Sequence, residues 1–287
     1  MKKDRLFLSI DAGGTKGAFS FAFLKCLSRM FPGLAVEGVV GVSIGACIAA
    51  FWCTDLVESL SIECLLPMLS HTEPGWPQAA RSTYIYDQVC LLFGTRRMRD
   101  VRGAALYIVA VNASTGVPVI FSSREEAHGE LLLSAVVYAS MTIPLYMPLS
   151  RIHGETYIDG GFAAVSPVST TYFLAREHGV AERHIHLLSV GTSTATTVLD
   201  PRRETLLSTI SVKRLLLYAT LSNQMANQHV AALLGRQLLR IGIVVNSGAF
   251  DTKPVPRLVT YGYGVCYARL AAIWALVAPF TPPLLRE

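Results

Sequence analysis

The sequence predicts an α/β domain of three layers, with helices on both faces of a mostly parallel sheet and a nucleophile elbow at its centre. Three observations carry that expectation. Leu6-Phe7-Leu8-Ser9-Ile10 is a short apolar run followed by a glycine turn and then by helix-spaced apolar residues. Val36 to Val40 repeats the pattern and feeds Gly41-Val42-Ser43-Ile44-Gly45, a Gly-x-Ser-x-Gly stretch where a strand becomes a helix. Ala104 to Val111 and Ile185 to Val190 are two further apolar runs of strand length. Strand–helix–strand–helix within roughly fifty residues implies a right-handed parallel βαβ unit.

In chain order, the first strand ends at Asp11 and Gly13-Gly14 makes the turn. From Lys16 to Met30, Phe19, Phe23, Leu24 and Leu27 recur at helical spacing, and Phe31-Pro32-Gly33 stops the helix. Val36 to Val40 is the second strand, and Ile44 to about Trp52 is the helix leaving the elbow. Residues 55–100 form an irregular apolar insertion. Leu56, Leu60, Leu65, Leu66, Met68 and Leu69 suggest helix, Glu73-Pro74-Gly75-Trp76-Pro77 is a loop, and Tyr84 to Phe93 is another helix. Such an insertion is either a lid or packing, and packing is the commoner use. Ala104 to Val111 is a buried strand that Val117 to Phe121 pairs with or follows, and Leu131 to Ala139 is a helix. Ile185 to Val190 is a strand stopped by Gly191, Thr192 to Thr197 a polar loop, and Leu206 to about Leu239 a long helix. After Asp251 the tail is punctuated by Pro and Gly up to an apolar helix near Tyr267 to Val277. The stretch from Leu270 to Val277 covers the core or inserts into lipid, the first being commoner. With no repeat and no clean linker, residues 1–287 read as one domain, its motifs within about 5–195 and a helical part over 200–287.

Composition narrows the partners. Hydrophobic residues make up 52% and charged residues 16% of 287, with a mean hydropathy of +0.43. That is more apolar than an ordinary globular domain, yet no apolar run reaches the roughly 18 residues that span a bilayer. The N-terminal apolar stretch is too short for a signal-peptide core, which predicts an intracellular, cytoplasmic chain with peripheral access to membranes. Net charge is +5, and 19 of the 25 basic residues are Arg. Arg suits phosphate contacts, but the basic residues are scattered, which argues against nucleic acid. The six cysteines (26, 47, 53, 64, 90 and 266) show neither C-x-x-C nor zinc spacing, so neither metal nor cofactor is expected. Cys47 and Cys53 read as small buried hydrophobes.

An acyl-transfer site needs a nucleophile, a base and oxyanion donors. Ser43 is the nucleophile, with Gly41 and Gly45 small enough to let strand and helix approach. Asp11-Ala12-Gly13-Gly14-Thr15-Lys16-Gly17 lies between a strand and a helix, where bare N–H groups and the helix dipole suit either an oxyanion or a phosphate. Asp159 leaves a short apolar run into Gly160-Gly161, which is also what an ordinary Asx turn looks like. His178, His184, His186 and His229 allow a Ser…Asp…His order, but none has a compelling context. A Ser43–Asp159 dyad is the simpler reading.

Together these motifs resemble the patatin-like phospholipase family. The family carries a glycine-rich Asp-Gly-Gly-Gly-x-Arg/Lys-Gly loop, then Gly-x-Ser-x-Gly, then Asp-Gly-Gly/Ala. Here they are Asp11 to Gly17, Gly41 to Gly45, and Asp159-Gly160-Gly161, in that order. Ala139-Ser140-Met141-Thr142-Ile143-Pro144-Leu145-Tyr146 is similar to the family's Ala-Ser-x-x-x-Pro-x-x-Phe segment, and Leu188-Ser189-Val190-Gly191-Thr192 to its following strand. Ala12 replaces a glycine, which matters only if its φ is positive. Lys16 is a family variant, and Ser166-Pro167 stands where many members have Asn-Pro. The resemblance implies a patatin-like fold and calcium-independent hydrolysis of phospholipid esters at a membrane surface. Ser43 would attack, Asp159 would be the base, Gly13 and Gly14 would hold the oxyanion, and a homo-oligomer is left open. Two rivals stand beside it. The Asp11–Lys16 loop also fits the first phosphate loop of sugar kinases, although no second nucleotide-binding half is evident. A lipid-binding relative without activity is the other.

Overall fold

A computed structural model describes residues 3–61, 64–65, 78–144, 147–193, 212–245 and 251–282. Along the chain run β1 (Arg5–Ile10), α1 (Gly17–Met30), β2 (Gly38–Val42), α2 (Ile44–Cys53), α3 (Gln78–Phe93), β3 (Ala105–Asn112), β4 (Pro118–Ser122), α4 (Leu133–Met141), β5 (Ser150–Ile152) and β6 (Glu155–Asp159). There follow α5 (Val168–Glu177), β7 (Ile185–Ser193), α6 (Val212–Leu234), β8 (Leu238–Val244), α7 (Val255–Ala268) and α8 (Leu270–Val277).

The strands form one sheet in the order β5-β6-β3-β2-β1-β7-β8, with β4 also paired to β3. From β3 to β8 the pairing is parallel throughout. β4, β5 and β6 supply the antiparallel pairs. Both faces of β1 are covered. Leu6, Leu8 and Ile10 join the large core with α1, α2 and α7, while Phe7 packs with Val168, Tyr172, Val230 and Leu234 of α5 and α6. A strand covered on both sides has no need of polar alternation, which is why β1 and β2 read as continuous apolar runs. The expected three-layer arrangement is therefore present.

The structure corrects the expectation in several places. β7 does not stop at Gly191 but continues to Ser193. The long helix ends at Leu234, where Gly235 turns left-handed (φ 50°), and residues 238–244 form the sheet's last parallel strand instead of helix or tail. The C-terminal part is thus not purely helical. Residues 168–177 and 255–268 form helices the sequence pattern did not reveal. The proposed helix beginning at Leu56 closes after Ser59. Leu66, Met68, Leu69, the Glu73–Pro77 loop, Leu145, Tyr146, residues 194–197 and residues 206–211 lie outside the described residues. Ile273 and Val277 of α8 are fully buried, which fits the core-covering use of that helix. Among the described residues no single helix is long and apolar enough to cross a membrane. Val255–Ala268 and Leu270–Phe280 reach that length only as a pair bent by 66°.

Candidate active site

Sheet register brings the two motifs together. β2 pairs with β3 as far as Val42↔Val109, then leaves the sheet. The next β3 residue, Ala110, pairs with Asp159 on one edge and with Val119 on the other. β4 holds its edge throughout, since Ile120 pairs Val109, so β6 occupies the edge that β2 vacates. Asp159 therefore arrives one step beyond Val42, beside Ser43. The Ser43 hydroxyl donates to Asp159 Oδ2 at 2.6 Å.

The elbow's spacing has a steric cause. Ser43 sits at φ 56°, ψ −127°, a left-handed conformation worth about 1–3 kcal/mol of strain for a residue with a side chain. The sharp turn drives α2 back against β1. A Cβ on Gly45 would lie 2.5 Å from the carbonyl oxygens of Ile10 and Asp11, and one on Gly41 would collide with the Gly45 carbonyl. Ser140 fixes the turn from the other side. Its hydroxyl accepts the Ser43 N–H at 2.9 Å and donates to the Val109 carbonyl at 2.6 Å. The sequence singled out the Ala139–Tyr146 segment without assigning Ser140 this task.

Asp159 is 3% exposed and Ser43 7%. Burial pushes the Asp159 carboxyl up to about 6, against the opposing pull of the Ser43 hydroxyl and the Gly161 N–H, which it accepts at 2.6 Å. Its backbone N–H donates to the Thr142 carbonyl at 2.8 Å, which ties the carboxylate to the end of α4. The result is an oriented, desolvated carboxylate hydrogen-bonded to a hydroxyl. Such a pair can take a proton from that hydroxyl as it attacks a carbonyl carbon.

Gly13 and Gly14 lie on the loop between β1 and α1, which is pressed against the elbow. Gly17 stands so close to Ile44 that a Cβ there would lie 2.6 Å from its side chain. Among the described residues nothing accepts the N–H of Gly13, of Gly14, or of Ile44 at the first position of α2. Backbone N–H groups without a protein acceptor are of the kind an oxyanion can use. Ala12 is not among the residues with positive φ, so its methyl adds no left-handed strain, and its N–H donates to the Val165 carbonyl at 2.8 Å.

Beneath that loop is an ion pair that sequence reasoning missed. Asp11, 3% exposed, receives the Arg240 guanidinium from β8: one amino group reaches Oδ1 at 2.9 Å and the other Oδ2. Arg240 also donates to Ser189 Oγ at 2.6 Å. Burial disfavours the guanidinium charge, but Asp11 outweighs it and raises the pKa. Gly191 explains itself here, because a Cβ there would overlap the Asp11 carboxyl group. Lys16 is partly buried, which lowers its pKa.

The histidines stay away from Ser43. His184 belongs to a short turn before β7 rather than to the strand, and its Nδ1 is 2.6 Å from Asp4 Oδ1. His186 pairs with Leu6 at the opposite end of the sheet from the elbow. His178 lies in the turn that caps α5 and meets the Tyr107 hydroxyl at 2.9 Å. His229 is exposed on α6. Ser166 engages through its backbone alone, its N–H donating to Asn223 Oδ1 at 3.1 Å and its carbonyl accepting from Asn227. Cys47 and Cys53 are buried, which raises both thiol pKa values. Among the described residues no group of three His, Cys, Asp or Glu side chains is arranged to hold a metal.

Against known proteins, the family profile described as patatin-like phospholipase matches residues 8–172, more than half of the chain. No curated protein matches. Among solved structures, VipD from Legionella pneumophila is similar at 14% identity and a TM-score of 0.51, over 94% of this chain and 67% of that one. The type III effector protein ExoU matches at 12% identity and a TM-score of 0.39, over 97% of this chain and 53% of that one. At such identity the likeness to VipD concerns the fold.

Proposed function

This chain belongs to the patatin-like phospholipase family, and on that premise we propose that it hydrolyses phospholipid acyl esters with Ser43 as nucleophile and Asp159 as base. The observation that carries the assignment is the 2.6 Å hydrogen bond from the Ser43 hydroxyl to a buried carboxylate. Family membership supports an acyl-lipid hydrolase and removes the footing of the sugar-kinase reading. Ser43 Oγ attacks the ester carbonyl while its proton passes to Asp159. The tetrahedral oxyanion is held by the N–H groups of Gly13 and Gly14, with that of Ile44 in reach of the same role. Collapse expels the lipid alcohol, which takes the proton back from Asp159. Water, deprotonated by Asp159, then cleaves the acyl-enzyme and returns the enzyme to its start. No histidine is required, because the desolvated carboxylate is basic enough near pH 6 and above. The reaction takes place at a bilayer surface.

The test uses phosphatidylcholine vesicles and a serine-reactive fluorophosphonate. Ser43→Ala and Asp159→Asn are each expected to lower fatty-acid release by about 10⁴-fold or more. Fluorophosphonate labelling of the native chain is expected to disappear in Ser43→Ala. Hydrolysis retained in Ser43→Ala would falsify the assignment, and a native chain that neither labels nor hydrolyses would point to the inactive lipid-binding relative.

A further inference from the structure

On the face of the sheet covered by α5 and α6, behind the glycine loop, lies a cavity of about 260 Å³ that the hydrolytic steps do not use. The Asp11–Arg240 pair forms part of its wall, and that pair is self-neutralising. Arg240 gives three of its five N–H donors to Asp11 and Ser189, and the Asp11 carboxylate repels any anion brought beside it. The free polar groups are of another kind. Thr192 of β7 lines the cavity, is only 5% exposed, and its hydroxyl has no partner among the described residues. Gln224 and Gln228, one helical turn apart on α6, add two amides without a protein partner among the described residues. Val168, Ala231 and Leu238 complete the wall with apolar surface. Asn223 and Asn227 are already committed, since they hold the backbone of Ser166 and Ser169.

Uncharged groups that both donate and accept, set beside small apolar patches, complement adjacent hydroxyls on a carbon ring or chain. We propose that this cavity binds a neutral polyol, the chemistry shared by free cyclitols and sugars and by the polyhydroxyl head groups of lipids. Its volume suits a single ring. The occupant would also touch the oxyanion loop, because Thr192 Oγ1 stands 3.3 Å from where a Cβ on Gly13 would be.

Binding is measured on the full chain without turnover, so hydrolytic inactivity would leave the result standing. Calorimetric titration with myo-inositol and with glucose addresses the free polyol. Co-sedimentation with phosphatidylcholine vesicles, with and without phosphatidylinositol, addresses the head group. Thr192→Val and Gln224→Ala are expected to weaken binding about tenfold or more, in line with the loss of hydrogen bonds a site has been built to make. Ala231→Phe, which fills the cavity, is expected to abolish it while circular dichroism stays native. Free-polyol binding lost in these variants supports a free-polyol site. A phosphatidylinositol preference lost in them, with no response to the free polyols, supports a head-group site. Binding that the folded variants leave intact, a folded native chain that responds to neither arm, or a cavity that takes inorganic phosphate instead, overturns the proposal.

Discussion

Two carboxylates, Asp11 and Asp159, sit at neighbouring strand ends with the same 3% exposure and opposite surroundings. Asp11 has a guanidinium against it and a glycine, Gly191, cleared away to admit its carboxyl group. Asp159 has no cation beside it among the described residues, only a hydroxyl and a backbone N–H. A buried charge with a counter-ion is a fixed strut. One without remains hungry for a proton, and burial has moved its pKa to the region where it can exchange one. Burial alone therefore does not mark a functional acid. The company it keeps does.

Breaking the pair at Asp11 tests the strut most severely. Arg240→Met is expected to destabilise the protein by about 3–5 kcal/mol, because Asp11 is left buried and uncompensated. Asp11→Asn together with Arg240→Met is expected to recover most of that loss, measured by urea denaturation. If the double variant is no better than the single one, Arg240 matters through packing and the contrast with Asp159 fails.

The opposite sign is expected at Asp159. Its pKa rises from 3.8 to about 6 on folding, so the folded state binds the proton more tightly than the unfolded one. The stability this gives is fully present below about pH 4 and is lost as pH rises through about 6. Asp159→Asn removes the titration, and near pH 8 it is expected to stabilise the protein by up to about 3 kcal/mol relative to native. The gain should shrink to nothing as pH falls towards 4. Thermal denaturation at both pH values reads it, and a destabilised Asp159→Asn at high pH would mean that the hydrogen bonds of the carboxylate outweigh its desolvation.

These two sites also differ in how visible they are from sequence. The elbow is legible because its pattern is short: Gly41 is small since Gly45 and Ala46 leave no room four residues on, and Gly45 since the carbonyls at the end of β1 do. Asp159 is visible as an Asp before two glycines, but its nearness to Ser43 depends on β6 taking the edge β2 leaves, which no short pattern records. Arg240 is hidden twice over. Its strand lies behind an unrecognised helix stop at Gly235, and its partner lies far back in the chain at Asp11. Gly191 shows the ambiguity from the other direction. A glycine that admits a neighbouring carboxylate looks, in sequence, the same as one that ends a strand.

Ser140 sharpens the neutral side of the contrast, since it holds the elbow with hydrogen bonds and no charge. Ser140→Ala leaves the Ser43 N–H and one acceptor position at Val109 without their partner in a buried setting. A loss of about 1–2 kcal/mol in stability is expected, with a fall in kcat as Ser43 loosens. Unchanged stability and unchanged turnover together would show that the turn is held by α2 packing alone.

The smallest effect is the most diagnostic of chemistry. If Asp159 is the base, it must be ionised in the free enzyme, and log kcat/KM on phosphatidylcholine should fall with unit slope below the pKa. That pKa is about 6, raised chiefly by burial. Activity should therefore be level near pH 8 and drop tenfold per pH unit, about 1.4 kcal/mol each, once pH is below about 6. An exposed aspartate would place the same bend near 4. A bend near 4 would show that the hydroxyl and amide contacts offset burial, while a pH-independent rate would remove Asp159 from the proton path.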